Sequence, residues 1–473
     1  MAAVSHNHAK YQARLDYIQQ LLVDHLDLSS EDAEQTKITP IQYDPECPFK
    51  YNNFVYRISP PTSTLAELGS ANQGPTLKRP GCVPIPTGTT EFILRLSNPD
   101  AEGIYQETRV QNEVGMLTIA SAALRHITPP VVPRVFGWNG ASPDHHGWIM
   151  QELMPGTPLL DDFAENMSLD QKKGILTQMA TLLKALQDYP LPATIEGWGG
   201  VTFDDSGAIV SAPMCTVGDG PWSSLEDSFR GRLKVKLAKA DENPYLQGWR
   251  ANGVRERIDA FIEHGLPAQS SDLTSKQDRA IVHADFSEFI PSTSLSPLNP
   301  SEPVADTQLA TDNLLYDPKT GRITALLDYD FASILHPAYE FFRSFSSNGG
   351  QFLGWSGDTT PQDQEAAALR KAKLTGQFPS PLPAPVPSEN GPAVDWELAQ
   401  AWEHELRNLD VKRPSTIQGI DRVADVDEVL GSLLPWRLTN EDFLSMNPDK
   451  DETMAFRRVA EKQLVSLLDH AGF

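Results

Sequence analysis

The sequence predicts an α+β protein of two unequal lobes, a strand-rich first part built around one main helix and a longer, mostly helical second part. Three observations carry this expectation. Short apolar segments bounded by Pro, Gly and Asn recur between residues 45 and 155; from Ser168 onward apolar residues recur at helical spacing; and one hairpin, near residues 314–328, interrupts the helical part. A chain of 473 residues is long enough to bury more than one core. Its 40% hydrophobic and 22% charged residues are ordinary for a globular protein.

Residues 1–44 read as a helical extension, 45–155 as the first lobe and 156–473 as the second. In the extension Tyr11, Leu15, Ile18, Leu22 and Leu26 fall on one helical face, which would pack on the first lobe. Residues 48–58 read as a turn followed by an alternating strand, with Asn53 where the turn ends. Residues 60–86 are rich in Pro, Ser, Thr and Gly and read as a loop. A strand over 90–96 then carries Arg95, and a helix over 106–125 carries Glu113. Two further strands, 131–138 and 147–153, end at Pro155-Gly156, with Glu152 and Met154 beside the break. Ser168-Leu-Asp-Gln171 is a capping box, followed by an apolar face at Ile175, Met179, Leu182, Leu183 and Leu186. Residues 197–200, 204–208 and 218–222 read as irregular. Helices are expected over 225–240, 254–264, 395–407 and 452–470, with a stiff Pro-rich linker or lid over 376–392.

The formal net charge of −24 argues against nucleic acid or an anionic membrane as partner, since both are bound through basic surface. Solubility is the plainer reading of that charge, and a cationic substrate the sharper one. No apolar run reaches the roughly 20 residues that span a bilayer, and the first residues lack a basic region followed by an apolar one, so a cytoplasmic location is expected. Cys47, Cys82 and Cys215 are widely spaced and form neither a disulfide framework nor a zinc pattern. His-Glu-x-x-His and Gly-x-Ser-x-Gly are absent, which lowers a zinc or serine hydrolase.

The chemistry concentrates between 281 and 340. His283-Ala284-Asp285 is followed by an irregular stretch, then Asn313, a hairpin turning at Gly321, and Asp328 at the end of its second strand. Asp285 and Asn313 precede the first hairpin strand, so three oxygen-bearing side chains should converge at one end. Phosphoryl transfer from a nucleotide needs such a set: oxygen ligands for Mg²⁺ and an aspartate to point an acceptor hydroxyl at the γ-phosphate.

Here the chain resembles the aminoglycoside phosphotransferase family, also called the phosphotransferase enzyme family, which has a protein-kinase-like fold. The matching residues are His283-Ala-Asp285, Asn313-Leu-Leu-Tyr316, Leu327-Asp328-Tyr329 and Pro337-Ala-Tyr-Glu340. The resemblance implies ATP or GTP as donor, Mg²⁺, and a small hydroxyl-bearing substrate as acceptor. It makes Asp285 the base and His283 a brace for its loop, with Asn313 and Asp328 on the metal. Arg95 paired to Glu113 would grip the nucleotide phosphates, with Asn53 near them, and Glu152 and Met154 would meet the adenine. The family more often has Gly where Ala284 stands, Asp where His336 and Glu340 stand, and Lys where Arg95 stands. Asn313 follows Asp285 by 28 positions, not the usual five or so. Excising 288–310, 23 residues rich in Pro and Ser, would restore that spacing. This insert reads as a flexible excursion, either a surface loop or a retained intron. Together with the Arg and the absence of a Gly-x-Gly-x-x-Gly loop, it keeps a catalytically inactive, kinase-like binding or scaffold protein as the alternative function.

Overall fold

The computed structural model describes residues 6–41, 43–44, 47–61, 79–142, 145–286, 313–346, 349–357, 360–384, 386 and 394–473. The insert expected over 288–310 therefore lies outside the described residues, as do much of the loop expected over 60–86 and the end of the Pro-rich segment.

The first lobe is an antiparallel five-stranded sheet in the order β1-β2-β3-β5-β4. Its strands are β1 Lys37–Ile41, β2 Asn53–Ser59, β3 Phe92–Ser97, β4 Val135–Asn139 and β5 Trp148–Glu152. Alternation decides what each face does, because successive side chains in a strand point to opposite sides. Phe54, Tyr56 and Ile58 of β2 join Phe92, Leu94 and Leu96 of β3 in one core, which the helix α1 (Tyr11–Leu26) covers with Ile18, Leu21, Leu22 and Leu26. Arg14 of α1 stacks its guanidinium 3.8 Å from the Phe54 ring centroid and donates to the Tyr56 hydroxyl at 3.1 Å. The helical stripe read from the sequence thus packs on the first lobe as expected. Residues 1–44 are nevertheless not helical throughout: after the short α2 (Ser30–Gln35), β1 pairs along β2 from Lys37 with Ser59 to Ile41 with Val55.

The odd-numbered residues of β3, Ile93, Arg95 and Ser97, point to the opposite face, where α3 (Gln106–Ala123) lies. Because β3 is the central strand, Arg95 is only 6% exposed.

The chain leaves the sheet through β6 (Thr157–Pro158), which pairs with β10 (Leu314–Asp317). The second part is mainly helical. It begins with α4 (Leu169–Asp188), whose Ser168–Gln171 capping box forms as the sequence suggests. Of the stretches read as irregular, 204–208 is the turn of a hairpin the sequence reading did not assign, β7 (Gly200–Phe203) and β8 (Ile209–Ala212), closed at Asp204 and Gly207. The helix α5 (Leu225–Glu242) follows. α6 (Val254–Ala260) is shorter than its sequence pattern, since the backbone widens into a π-turn at Phe261–Gly265. β9 (Ala280–Val282) pairs with β12 (Ser333–Leu335), and β10 pairs with β11 (Arg322–Leu326) around the turn at Gly321. The remaining helices are α7 (Leu266–Gln269), α8 (Ala338–Arg343), α9 (Pro361–Thr375), α10 (Trp396–Asn408), α11 (Ile420–Ser432), α12 (Trp436–Thr439), α13 (Glu441–Met446) and α14 (Lys450–Ala471). Among the described residues no helix is long and apolar enough to cross a membrane.

Gly156 marks the joint between sheet and hairpin. Its φ is +117°, and a Cβ there would lie 2.3 Å from Thr324 Oγ1 and 2.8 Å from the Tyr316 carbonyl oxygen. Both the backbone angle and the space exclude a side chain. Gly156→Ala is therefore expected to destabilise the protein by about 2 kcal/mol or more, read as a drop in the midpoint of urea unfolding.

Candidate active site

β9 delivers His283, Ala284 and Asp285 to a loop that one buried carboxylate organises. Glu340 Oε2 accepts from the His283 N–H at 2.7 Å, and Oε1 accepts from the Ala284 N–H at 3.0 Å and the Ser344 hydroxyl at 2.6 Å. Ser344 Oγ in turn accepts from the Phe286 N–H at 3.0 Å. Burial pushes the Glu340 carboxyl up to about 7, against the pull of these donors. Ala284 sits at φ +64°, a left-handed conformation that explains why glycine is the commoner residue of the family there.

His283 Nε2 lies 2.9 Å from the Leu327 carbonyl oxygen, which can only accept, so this nitrogen carries the proton. Burial lowers the imidazole to about 4 and leaves it neutral at pH 7. Its ring meets the edges of Tyr329 and Phe286. A neutral, donating, enclosed imidazole orients a loop and is not poised to take up a proton.

Asn313 stands 28 residues after Asp285 yet touches it. Its Nδ2 donates to the Asp285 carbonyl at 2.7 Å and to Asp285 Oδ2 at 2.8 Å. The Asn313 carbonyl accepts from the Leu327 N–H at 2.8 Å, the residue before Asp328. Asp285, Asn313 and Asp328 thus belong to one hydrogen-bonded frame at the end of the β10–β11 hairpin.

Across from this frame lies a buried ionic cluster. Arg95 Nη1 donates to Glu113 Oε1 at 2.5 Å, and its Nη2 to Asp328 Oδ1 at 2.8 Å and Asp330 Oδ2 at 3.4 Å. Arg109, from the first turn of α3, grips Asp330 through Nε at 3.0 Å and Nη2 at 2.5 Å, and Asn53 Nδ2 reaches Asp330 Oδ2 at 2.6 Å. Burial alone would raise the Asp330 carboxyl, but Arg109 and Arg95 outweigh it and hold the group well below the usual range. Glu113 goes the other way: burial and then the charges of Asp330 and Asp328 raise it in spite of Arg95. Sequence reasoning found Arg95, Glu113 and Asp328 but missed Arg109 and Asp330. Arg109 precedes Glu113 by four, one helical turn, and that spacing on the same face was the signal available.

The turn ahead of Asn53 is also fixed. The Lys50 N–H donates to Asp442 Oδ2 at 3.0 Å, while its ammonium meets Glu102 at 3.3 Å and Glu441 of α13 at 3.1 Å. Of the two residues at the end of β5, Glu152 pairs its carboxylate with Arg134 at 2.6 and 2.9 Å, and Met154 is buried.

The donor set suits a hard divalent cation. Carboxylate oxygens of Glu113, Asp328 and Asp330 lie within 4.8 Å of one another. All three are already answered by guanidinium groups, Asp328 through its Oδ1. Among the described residues, no hydrogen bond to Asp328 Oδ2 or Asn313 Oδ1 is made.

Residues 85–288 match the model of the phosphotransferase enzyme family, a span that runs from before β3 through His283–Asp285 and leaves Asn313, Asp328 and Glu340 beyond it. The match stops where the insert begins. No curated protein matches the chain. Among solved structures, the chain is similar to a streptomycin–ATP–APH(2″)-IIa ternary complex at 12% identity and a TM-score of 0.42, covering 93% of this chain and 97% of that one. It is also similar to a macrolide 2′-phosphotransferase from Brachybacterium faecium at 13% identity and a TM-score of 0.38, covering 95% and 97%. The family match supports a phosphotransferase.

Two measurements probe the loop. Ala284→Gly relieves a left-handed alanine costing about 1–2 kcal/mol and gives back roughly 0.5–1 in chain entropy, so a small net gain in unfolding free energy is expected. Glu340, with a folded pKa near 7 against about 4.3 unfolded, makes the unfolded chain the better proton donor between those values. Stability should fall as pH rises from about 4.3 to 7 and level off above, by about 4 kcal/mol for this group. Urea titrations at several pH values should show that slope in the parent protein and lose it in Glu340→Gln, which itself is less stable because the amide turns a donor toward a backbone N–H.

Proposed function

We propose that the protein transfers the γ-phosphate of ATP or GTP to a hydroxyl of a small molecule. The observation that carries this reading is the contact of Asn313 with Asp285, which brings together two residues 28 positions apart and turns the amide nitrogen to the aspartate.

Asp285 would orient the acceptor hydroxyl and take its proton as the bond to phosphorus forms. Asn313 fixes the carboxylate rotamer for that task, and His283, neutral and held to the Leu327 carbonyl, keeps the loop in place. Arg95, itself positioned by Glu113, would neutralise the nucleotide phosphates, with Asn53 above them and the backbone of Glu152 and Met154 beside the base. Asn313 and Asp328 would hold Mg²⁺, whose charge would offset that of the triphosphate. The nucleotide and Mg²⁺ are the cofactors this reading needs, and a hydroxylated small molecule is its partner.

A second reading has a specific observation in its favour. A guanidinium seated on both Asp328 and Asp330 satisfies the acidic cluster without any ligand, as a nucleotide-free scaffold would require.

One pair of variants separates the roles. Asp285→Ala is expected to lower phosphoryl transfer by about 10²–10⁴-fold while nucleotide affinity stays near that of the parent. Asp328→Ala should lose the Mg²⁺-dependent part of nucleotide binding, read by calorimetry with and without the ion. A parent protein whose thermal unfolding does not move with ATP and Mg²⁺ would decide for the scaffold.

A further inference from the structure

The helix α5 carries Arg232, Lys236 and Lys239 at spacings of four and three, so the three cations share one flank. That flank begins beside the catalytic loop. The Arg232 guanidinium lies 4.9 Å from the ring centroid of Tyr339 and 4.4 Å from that of Phe229. Tyr339 packs in turn on a small apolar cluster of Met214, Val282, Ala284 and Leu335, the last strand residues and the loop that hold Asp285. The flank ends at the first lobe, where the Lys239 ammonium stands 5.0 Å from the centroid of Tyr105, the residue before α3. It therefore runs from beside the His283–Asp285 loop to the start of α3.

The charges on this flank are not matched. Arg232 is 3% exposed; its Nε donates to the Ser228 carbonyl at 3.2 Å and its side chain to the Tyr339 hydroxyl, while its Nη1 makes no hydrogen bond among the described residues. Arg95 and Arg109, equally buried, each sit on carboxylates. The Lys236 ammonium donates to the Leu430 carbonyl at 3.0 Å. Burial first, and then Arg343, Arg232 and Lys239 against the single carboxylate of Asp427, bring it down to about 8. Among the described residues, Arg232, Lys236 and Lys239 form no ion pair. A desolvated guanidinium without an anion is costly, and in a protein of net charge −24 a cationic flank is not a by-product of composition.

We propose that this flank is an anion subsite that takes the carboxylate or phosphate group of the hydroxyl-bearing acceptor, so the substrate is an anionic alcohol rather than a cationic one. Arg232 would meet the anion directly at the catalytic loop, with Lys236 and Lys239 completing its charge. The proposal rests on the phosphotransferase reading for the word acceptor, but the anion site is measurable without it.

Calorimetric titration of the full chain with inorganic phosphate, and separately with malonate, is done with and without saturating Mg²⁺ and ADP, so that the nucleotide site cannot account for the uptake. Phosphate or malonate should bind the parent protein and bind at least tenfold more weakly to Lys236→Gln/Lys239→Gln, with ADP affinity unchanged. Whichever anion binds tighter identifies the group. Each single variant is carried alongside, so a folding defect in the pair leaves the measurement in place. Failure of both anions to bind the parent, or equal binding by parent and variants, overturns the subsite. A parent that binds the anions as expected but not Mg²⁺ with ADP keeps the subsite and removes the phosphotransferase reading.

Discussion

The fold is arranged around the guanidinium of Arg95, which is buried in the central strand and answered by three carboxylates from two distant parts of the chain. Taking two arginines and three acids out of water is tolerable only while every charge keeps its partner, and removing one typically costs about 3–5 kcal/mol. The sheet order follows from the same demand. On an edge strand Arg95 would reach solvent; in β3, between β2 and β5, it can reach only α3 and the residues after the β10–β11 hairpin. Sheet, helix and hairpin are thereby joined by one side chain.

An arginine does this better than the lysine more common in the resembled family. Two separate nitrogens serve Glu113 on one side and Asp328 with Asp330 on the other, whereas a single ammonium is a point charge. Asp330 is balanced by a second cation, Arg109.

Much of this was legible in the sequence, and what was legible was local. The stripe of α1, the capping box at Ser168, the hairpin around Gly321 and the trio Asp285, Asn313 and Asp328 are each written within a short window or by residue type. The misses depend on remote partners. β1, with Lys37 and Pro40, has no strand pattern of its own and is a strand because β2 lies beside it. The β7–β8 hairpin is short and glycine-rich, and Gly200 packs so closely on Pro213 and Asn112 that only its context explains it. Arg109 and Asp330 are 221 residues apart, a distance no periodicity spans. The cations of α5 look like an ordinary solvated face until Tyr339 and Leu430 are seen against them.

β1 also covers what would otherwise be a bare margin. Its Lys37 and Pro40 sit on the outermost strand, where charge and a missing N–H discourage a foreign strand from docking. Stripped of β1 and α1, β2 would offer Phe-Val-Tyr-Arg-Ile as an unpaired ribbon above a greasy underside. A shortened chain beginning at β2 would therefore be prone to self-association and aggregation.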